Sequence, residues 1–315
     1  MSAAPPNAAT HAPDAHAQAR QRSGQLLAAA GAVAFSGKAI IVKLAYRHGV
    51  DAVTLLMYRM LFALPLFAAM AWWSTRRAHG GVPLTWRDRL GIVWLGFTGY
   101  YAASFLDFWG LQYISASLER LILYLNPTLV LLLGWLLHGR RVTARQWGAV
   151  ALSYAGVLLV FGHEVRFDGQ ATVVGSALVL ASAVSYALYL VHSGQMVARV
   201  GALRLVSLAT VVACVLCIAQ FVLLRPLHAA VVPAPVLWLS VANAVLCTAA
   251  PVVMVMMAIE RIGAGLTAQT GMLGPLSTLA LGVLLLGEPF NVWIVAGTAL
   301  VLAGVLWVSR ASSGR

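Results

Sequence analysis

Ten runs of about twenty mostly apolar residues, joined by short connections, leave this chain almost no choice of fold class. They lie at approximately Gln25–Ala45, Ala52–Trp73, Asp88–Trp109, Ile114–Leu137, Ala144–Phe161, Ala171–Met196, Leu203–Leu224, Pro235–Ala258, Ala264–Leu286 and Phe290–Val308. Each is long enough for one α-helical passage of a bilayer core. Inside that core the backbone must satisfy its own hydrogen bonds, so helices are the expected solution. The expectation is an all-α polytopic membrane protein with ten transmembrane helices. Nine is the rival count, because Gly287-Glu288-Pro289 is the whole connection between the last two runs. Composition agrees: 61% of residues are hydrophobic and 10% charged, against about 25% charged in soluble domains.

The net charge of +12 would suggest nucleic acid in a soluble protein, but its placement argues otherwise. With an even number of spans both tails share one side. If that side is the cytoplasm, it receives Arg20, Arg22, Arg76, Arg77, Arg87, Arg89, Arg140, Arg141, Arg145, Arg199, Arg204, Arg261, Arg310 and Arg315. The other side receives only Lys43, Arg47, Arg166 and Arg225. Such asymmetry is the positive-inside pattern. Scattered over short loops, these charges form no patch for nucleic acid. Trp72, Trp73, Trp86, Trp109, Tyr113 and Trp307 fall near span ends, where amphipathic rings prefer the interface.

The chain also repeats itself. Ile114–Phe161 aligns without gaps on Ile262–Ser309, with 18 of 48 positions identical. Shared leucines mean little in a membrane protein. The pairs Pro127/Pro275, Gly134/Gly282 and Gly139/Gly287 mean more, as does the block AGVL at 155–158 and 303–306. Five spans per half is an odd number, so the second half enters the membrane in the opposite sense. The loops agree: HGRRVTAR follows the first copy's fourth span and GEPFNVW follows its counterpart. This is the construction of inverted-repeat transporters. The expected organisation is a flexible cytoplasmic tail (1–24), a five-helix repeat (25–161), a periplasmic connector (162–170), a second repeat (171–310) and a short C-terminal tail (311–315).

With these motifs the chain resembles the drug/metabolite transporter superfamily, specifically its ten-helix EamA-type permeases. Gly287-Glu288-Pro289 matches the family's glycine–glutamate ending of a repeat, and Gly139-Arg140-Arg141 departs from it by replacing the acid. The resemblance implies a bacterial inner-membrane exporter of amino acids, other small metabolites or toxic compounds, driven by a proton or exchange gradient. Small multidrug relatives use a glutamate in their first helix. The first span here offers Lys38 and no acid, which weakens a cationic-drug reading.

Candidate transport residues follow from polarity at membrane depth. Pro127 and Pro275 fall near the middle of their spans and free the carbonyls of Leu123 and Gly271. Asn126, Thr267, Gln269 and Thr270 bring side-chain polarity to the same level. Ionisable groups inside spans are functional candidates by default, here Lys38, Arg59, Asp107, Glu119 and Arg120. They either pair with one another or leave a cation for a substrate carboxylate or phosphate. Asp107 and Glu119 are candidates for a coupling proton. Tyr100, Ser104 and Asp107 share a helical face, and Tyr101, Trp109 and Tyr124 are candidates for an aromatic wall. His192 is a lone intramembrane histidine. Cys214-x-x-Cys217 has redox or zinc spacing but no second ligand pair, which favours small apolar residues. Ala28/Ala32/Ser36, Ala177/Ala181 and Gly148/Gly156 suit close helix packing.

No HExxH, GxSxG or nucleotide-binding P-loop is present. The expected function is therefore secondary-active transport without cofactor or metal, with the lipid bilayer and a small-molecule substrate as partners. Monomer and homodimer both stay open. An importer or exchanger on this scaffold is the near alternative, and a lipid-handling or structural membrane protein the distant one.

Overall fold

The computed structural model describes residues 15–77, 83–139 and 141–313. Most of the expected N-terminal tail, Arg140 and the last two residues lie outside them, and the side chain of Arg310 is also not described. The described residues are helical, with no strand. In order they form α1 (Ala15–Tyr46), α2 (Ala52–Arg77), α3 (Trp86–Gly96), α4 (Ala103–Gly110), α5 (Ala116–Leu123), α6 (Asn126–His138), α7 (Ala144–Asp168), α8 (Gln170–Val200), α9 (Ala202–Leu224), α10 (Ala234–Ala244), α11 (Ala250–Gly271), α12 (Leu273–Leu281) and α13 (Val292–Ser313), with α11 divided into two helices by non-helical backbone at Gly263 (φ 77°, ψ 162°). Single π-helical turns join α3 to α4 (Phe97–Ala102) and α10 to α11 (Val245–Ala249), and a third follows α12 (Gly282–Leu286).

Eight helical stretches are long and apolar enough to cross a membrane, and Val292–Val308 is a shorter apolar helix. The continuous helical stretch Trp86–Gly110 stands outside that set. Arg87, Asp88 and Arg89 at its start, and Tyr100, Tyr101 and Asp107 along it, make it less apolar than its neighbours. Local signals set several starts. Thr85 and Asp88 form a capping box at α3, and Thr143 and Gln146 form another at α7.

Some expected boundaries differ. Helix α1 begins at Ala15, ten residues before its apolar run, because Ala, Gln and Arg are strong helix formers. The stretch 162–170 is not an open connector: α7 continues to Asp168, Gly169 turns the chain at φ 50°, and α8 starts at once. The runs containing Pro127 and Pro275 are broken rather than bent. The α-helical pattern tightens there, with Leu125 N–H donating to Ile122 O at 3.0 Å and Met272 N–H to Gln269 O at 3.1 Å, and α6 and α12 restart with the proline in their first turn. A proline there lacks only a donor that would be unpaired anyway.

Several of these irregularities recur at the 148-residue offset of the sequence repeat: the π turns beginning at Phe97 and Val245, the breaks at Tyr124 and Met272, and the left-handed turns at Gly139 (φ 62°) and Gly287 (φ 71°). The packing follows the same exchange. Helix α1 lies along α11 as α8 lies along α4, while α2 packs on its counterpart α9, and α7 on α13. The α7–α13 seam depends on missing side chains, since a Cβ on Gly156 would stand 2.7 Å from the Gly297 carbonyl. Ala28, Ala32 and Ser36 are buried as a packing face requires. Ala177 and Ala181 are exposed; α8 buries Gly175, Val179 and Ala183 instead.

The bundle has two unlike ends. At one, Arg20 Nη2 donates to Glu260 O at 3.0 Å and Arg199 pairs with Asp88 at 3.1 Å. At the other, Arg225 pairs with Asp51 at 3.2 Å and Arg47 Nη2 donates to Leu286 O at 2.8 Å. The six tryptophans and tyrosines expected at span ends are all exposed.

Candidate functional site

A cavity of about 720 Å³ runs through the centre of the bundle. Its lining extends along α1 from Ala28 to Lys38, ten residues and so about 15 Å of helix. The wall near the Arg20–Glu260 end includes Val197, Ala202 and Ile259. At the far end the lining stops at Lys38, Arg59, Asp107 and Thr248. The volume is that of a small-molecule site.

The charged groups at the closed end are arranged unequally. Lys38 Nζ donates to Asp107 Oδ2 and stands 3.2 Å from Glu119 Oε1, so one ammonium serves two carboxylates. Both acids are buried, Glu119 completely. Arg59 is 7% exposed, and none of the described carboxylates pairs with it. Its Nε donates to Thr248 Oγ1 at 3.1 Å, and its guanidinium lies 5.2 Å from the centre of the Phe108 ring. Thr248 is held in turn by the Asn243 carbonyl at 2.8 Å. Arg59 Nη1 and Asp107 Oδ1 are buried without a hydrogen-bond partner. An orphan donor and an orphan acceptor on residues of one cavity wall each carry an uncompensated desolvation penalty. Arg120 donates to neutral groups, Thr278 Oγ1 at 2.9 Å and Phe35 O at 3.2 Å.

The two helix breaks meet the same cavity. Asn126 Nδ2 donates to the freed Leu123 carbonyl at 2.7 Å. Tyr124 Oη donates to the freed Gly271 carbonyl at 2.9 Å, across the two halves. Ser36 Oγ reaches Gly274 O at 2.7 Å. Side chains of the protein thus satisfy the carbonyls that the prolines release, as the bilayer interior demands. Asn126 Oδ1 is left buried without a partner.

The cavity wall gathers Lys38, Arg59, Tyr100, Ser104, Asp107, Arg120, Tyr124 and Asn126. Glu119 stands behind it, against Lys38. Thr267 also lines it, but Gln269 is exposed and Thr270 bonds back to Leu266 O at 2.9 Å, one helical turn away. Pro127 and Pro275 do not line the cavity; their neighbours do. Tyr101 and Trp109 pack against Phe97 and Phe105 rather than forming the aromatic wall. That wall is Tyr100, Tyr186 and Tyr189, with Tyr100 and Tyr189 rings 5.2 Å apart and Tyr186 and Tyr189 rings 5.5 Å apart. The signal for the last two was present as polar-tipped rings three residues apart in an apolar helix. His192 is exposed and bonded to Leu188 O, away from the cavity. Cys214 and Cys217 are buried and free, with Cys214 Sγ 3.8 Å from Met60 Sδ.

Glu288 is the residue whose role the sequence concealed. Its Oε1 accepts the Ala116 amide at 2.6 Å, and its Oε2 accepts the Ser117 amide at 3.1 Å and the Ser117 hydroxyl at 2.6 Å. The glutamate that ends the second repeat therefore caps the first turn of α5 in the first repeat.

Comparison with known proteins agrees with this architecture. Residues 22–162 and 173–310 match the EamA-like transporter family. The chain belongs to that family. It is 29% identical over 287 residues to the uncharacterized transporter YcbK of Bacillus subtilis (strain 168), covering 87% of this chain and 89% of that one. It is 30% identical over 237 residues to a probable terminal-alkyne amino-acid exporter of Streptantibioticus cattleyicolor, covering 73% of this chain and 76% of the exporter. A solved crystal structure shares the fold at a TM-score of 0.64 with 18% identity, over 93% of this chain and 98% of its own. The molecule is thus a multi-pass membrane protein of an EamA transporter family, and the central cavity is its candidate translocation site.

Proposed function

We propose that this EamA transporter exports a small organic metabolite, amino-acid-like or anionic, by alternating access between two inverted five-helix repeats. In this reading the chain crosses a bacterial inner membrane ten times with both termini in the cytoplasm. The observation that carries the substrate reading is the pair of orphan atoms in the cavity wall, Arg59 Nη1 and Asp107 Oδ1. A carboxylate satisfies the first and an ammonium the second, so a zwitterionic head group completes both. The tyrosine wall of Tyr100, Tyr186 and Tyr189 offers an apolar body a surface. The amino-acid exporter among the relatives supports the same class.

The arginine-rich loops assign the Arg20–Glu260 end to the cytoplasm. A cavity lined from that end to Lys38 and closed beyond it is then open inward. Asp107 and Glu119, sharing one lysine, are the candidates for a coupling proton.

Flux from proteoliposomes loaded with labelled phenylalanine, phenyllactate, phenethylamine or a cationic dye tests the proposal. Movement of phenylalanine or phenyllactate above that of empty liposomes is expected. Export of phenethylamine or the dye alone would overturn the substrate reading, and no flux of any probe would overturn transport of this class.

A further inference from the structure

Beyond the end of the cavity away from Arg20 lies a contact that the repeat cannot reproduce in full at the other end. Glu288 receives three hydrogen bonds from α5, two from backbone amides and one from Ser117. All three end on the Glu288 carboxylate at the first turn of α5, where the amide dipoles favour negative charge. Arg47 adds a bond to Leu286 O, two residues before Glu288 in the chain. Together they tie the end of the second repeat's fourth span to α1 and to the start of the first repeat's fourth span.

Applying the 148-residue offset shows what occupies the matching places. Gly287 and Gly139 share a left-handed backbone, at φ 71°, ψ 26° and φ 62°, ψ 20°. The residue that follows is Glu288 in one copy and Arg140 in the other. Ser115 and Ser117 correspond to Gly263 and Gly265. A guanidinium has donors only, so it cannot accept helix amides. Glycine supplies no hydroxyl. The accepting carboxylate and the hydroxyl donor are therefore absent by sequence from the arginine-rich end, although the backbone amides remain.

We infer that Glu288 and Ser117 form a one-sided latch that makes the empty transporter rest closed at the outer end and open to the cytoplasm. Hydrogen bonds present in only one state bias the equilibrium by their differential strength. In this reading the arginine that breaks the family pattern is what makes the bias unequal. The inference rests on the transport reading above for the sides it assigns, but its test needs no substrate.

The test is labelling of a cavity cysteine by a membrane-impermeant methanethiosulfonate reagent. Cys214, Cys217 and Cys247 are replaced by alanine and Ser104 by cysteine. The reagent is applied to intact cells and to inside-out vesicles. The parent background is expected to react faster in inside-out vesicles. Glu288→Ala is expected to raise the rate in intact cells about tenfold, an equilibrium shift of about 1.4 kcal/mol, and Ser117→Ala to raise it by a smaller factor. Unchanged rates in intact cells for both variants, with parental membrane yield and parental labelling in vesicles, would overturn the latch. If Glu288→Ala fails to reach the membrane, Ser117→Ala and Glu288→Gln decide by the same criterion. A failed flux screen with altered labelling would sink the substrate reading and leave the latch standing.

Discussion

Arg59 and Arg120 both donate to a threonine and not to a carboxylate, but Arg59 also keeps a buried Nη1 without a partner. Lys38 is engaged twice by acids, so removing its charge leaves two buried carboxylates without a cation. Lys38→Met is therefore expected to reduce folded protein as well as flux, read by membrane yield and detergent melting. Arg59→Gln keeps a donor but loses the charge. It is expected to leave membrane yield near parental while raising the apparent KM for phenylalanine about tenfold or more, the scale of one charge-assisted hydrogen bond. An unchanged KM would remove Arg59 from the substrate site. A residue outside the spans offers a pH test. Burial opposes the charge on Asp51, but hydrogen bonds from Thr54 and the Arg225 guanidinium outweigh it and hold the carboxyl below the usual carboxylate range. A depressed folded value contributes stability above the unfolded pKa, which is lost as pH falls through the folded one. Asp51→Asn should lower the melting temperature at neutral pH, and the gap to the parent should close progressively below about pH 4.

Helices α5–α6 and α11–α12 show why a broken helix is used where a straight one would span as well. Each break releases a carbonyl at membrane depth, and Asn126 and Tyr124 take them up, while Ser36 adds a bond to Gly274 O. The bonds from Tyr124 to Gly271 O and from Ser36 to Gly274 O each cross from one half to the other, so the breaks also join the repeats. Tyr124→Phe leaves the Gly271 carbonyl without that donor. A loss of about 1–3 kcal/mol is expected, the penalty of an unsatisfied buried acceptor, measured as a lower detergent melting temperature. A melting temperature equal to the parent's would mean that water or lipid headgroups supply the missing donor. The prolines were legible in the sequence, but the partners of the carbonyls they release were not, because Tyr124 and Gly271 stand far apart in the chain and meet only when the halves pack.

The whole bundle is organised by exchange of halves, down to π turns and glycine turns placed at one offset. Exchange alone does not orient it in a membrane; the arginine asymmetry of the loops does that. Reporters fused after Arg145 and after Asp168 should read cytoplasmic and periplasmic respectively. The opposite reading would overturn the orientation that the arginine asymmetry implies. The charge pattern was legible because orientation depends on loop composition, which needs no packing to be counted. The aromatic wall was not, because Tyr186 and Tyr189 become wall residues only when α8 lies against α4 and its π turn.

What the amino-acid sequence determined by itself is therefore everything that follows from local chemistry. Apolar run length dictated helices, proline and glycine placed the breaks and turns, and the internal repeat announced two related halves. The tertiary structure decided which polar groups find partners. It gave Lys38 to two carboxylates, left Arg59 with none, and brought Glu288 from the end of one repeat to the first turn of a helix in the other. Pairing in a medium without water depends on distance in space, and distance in space between residues more than a hundred positions apart exists only after the helices have packed.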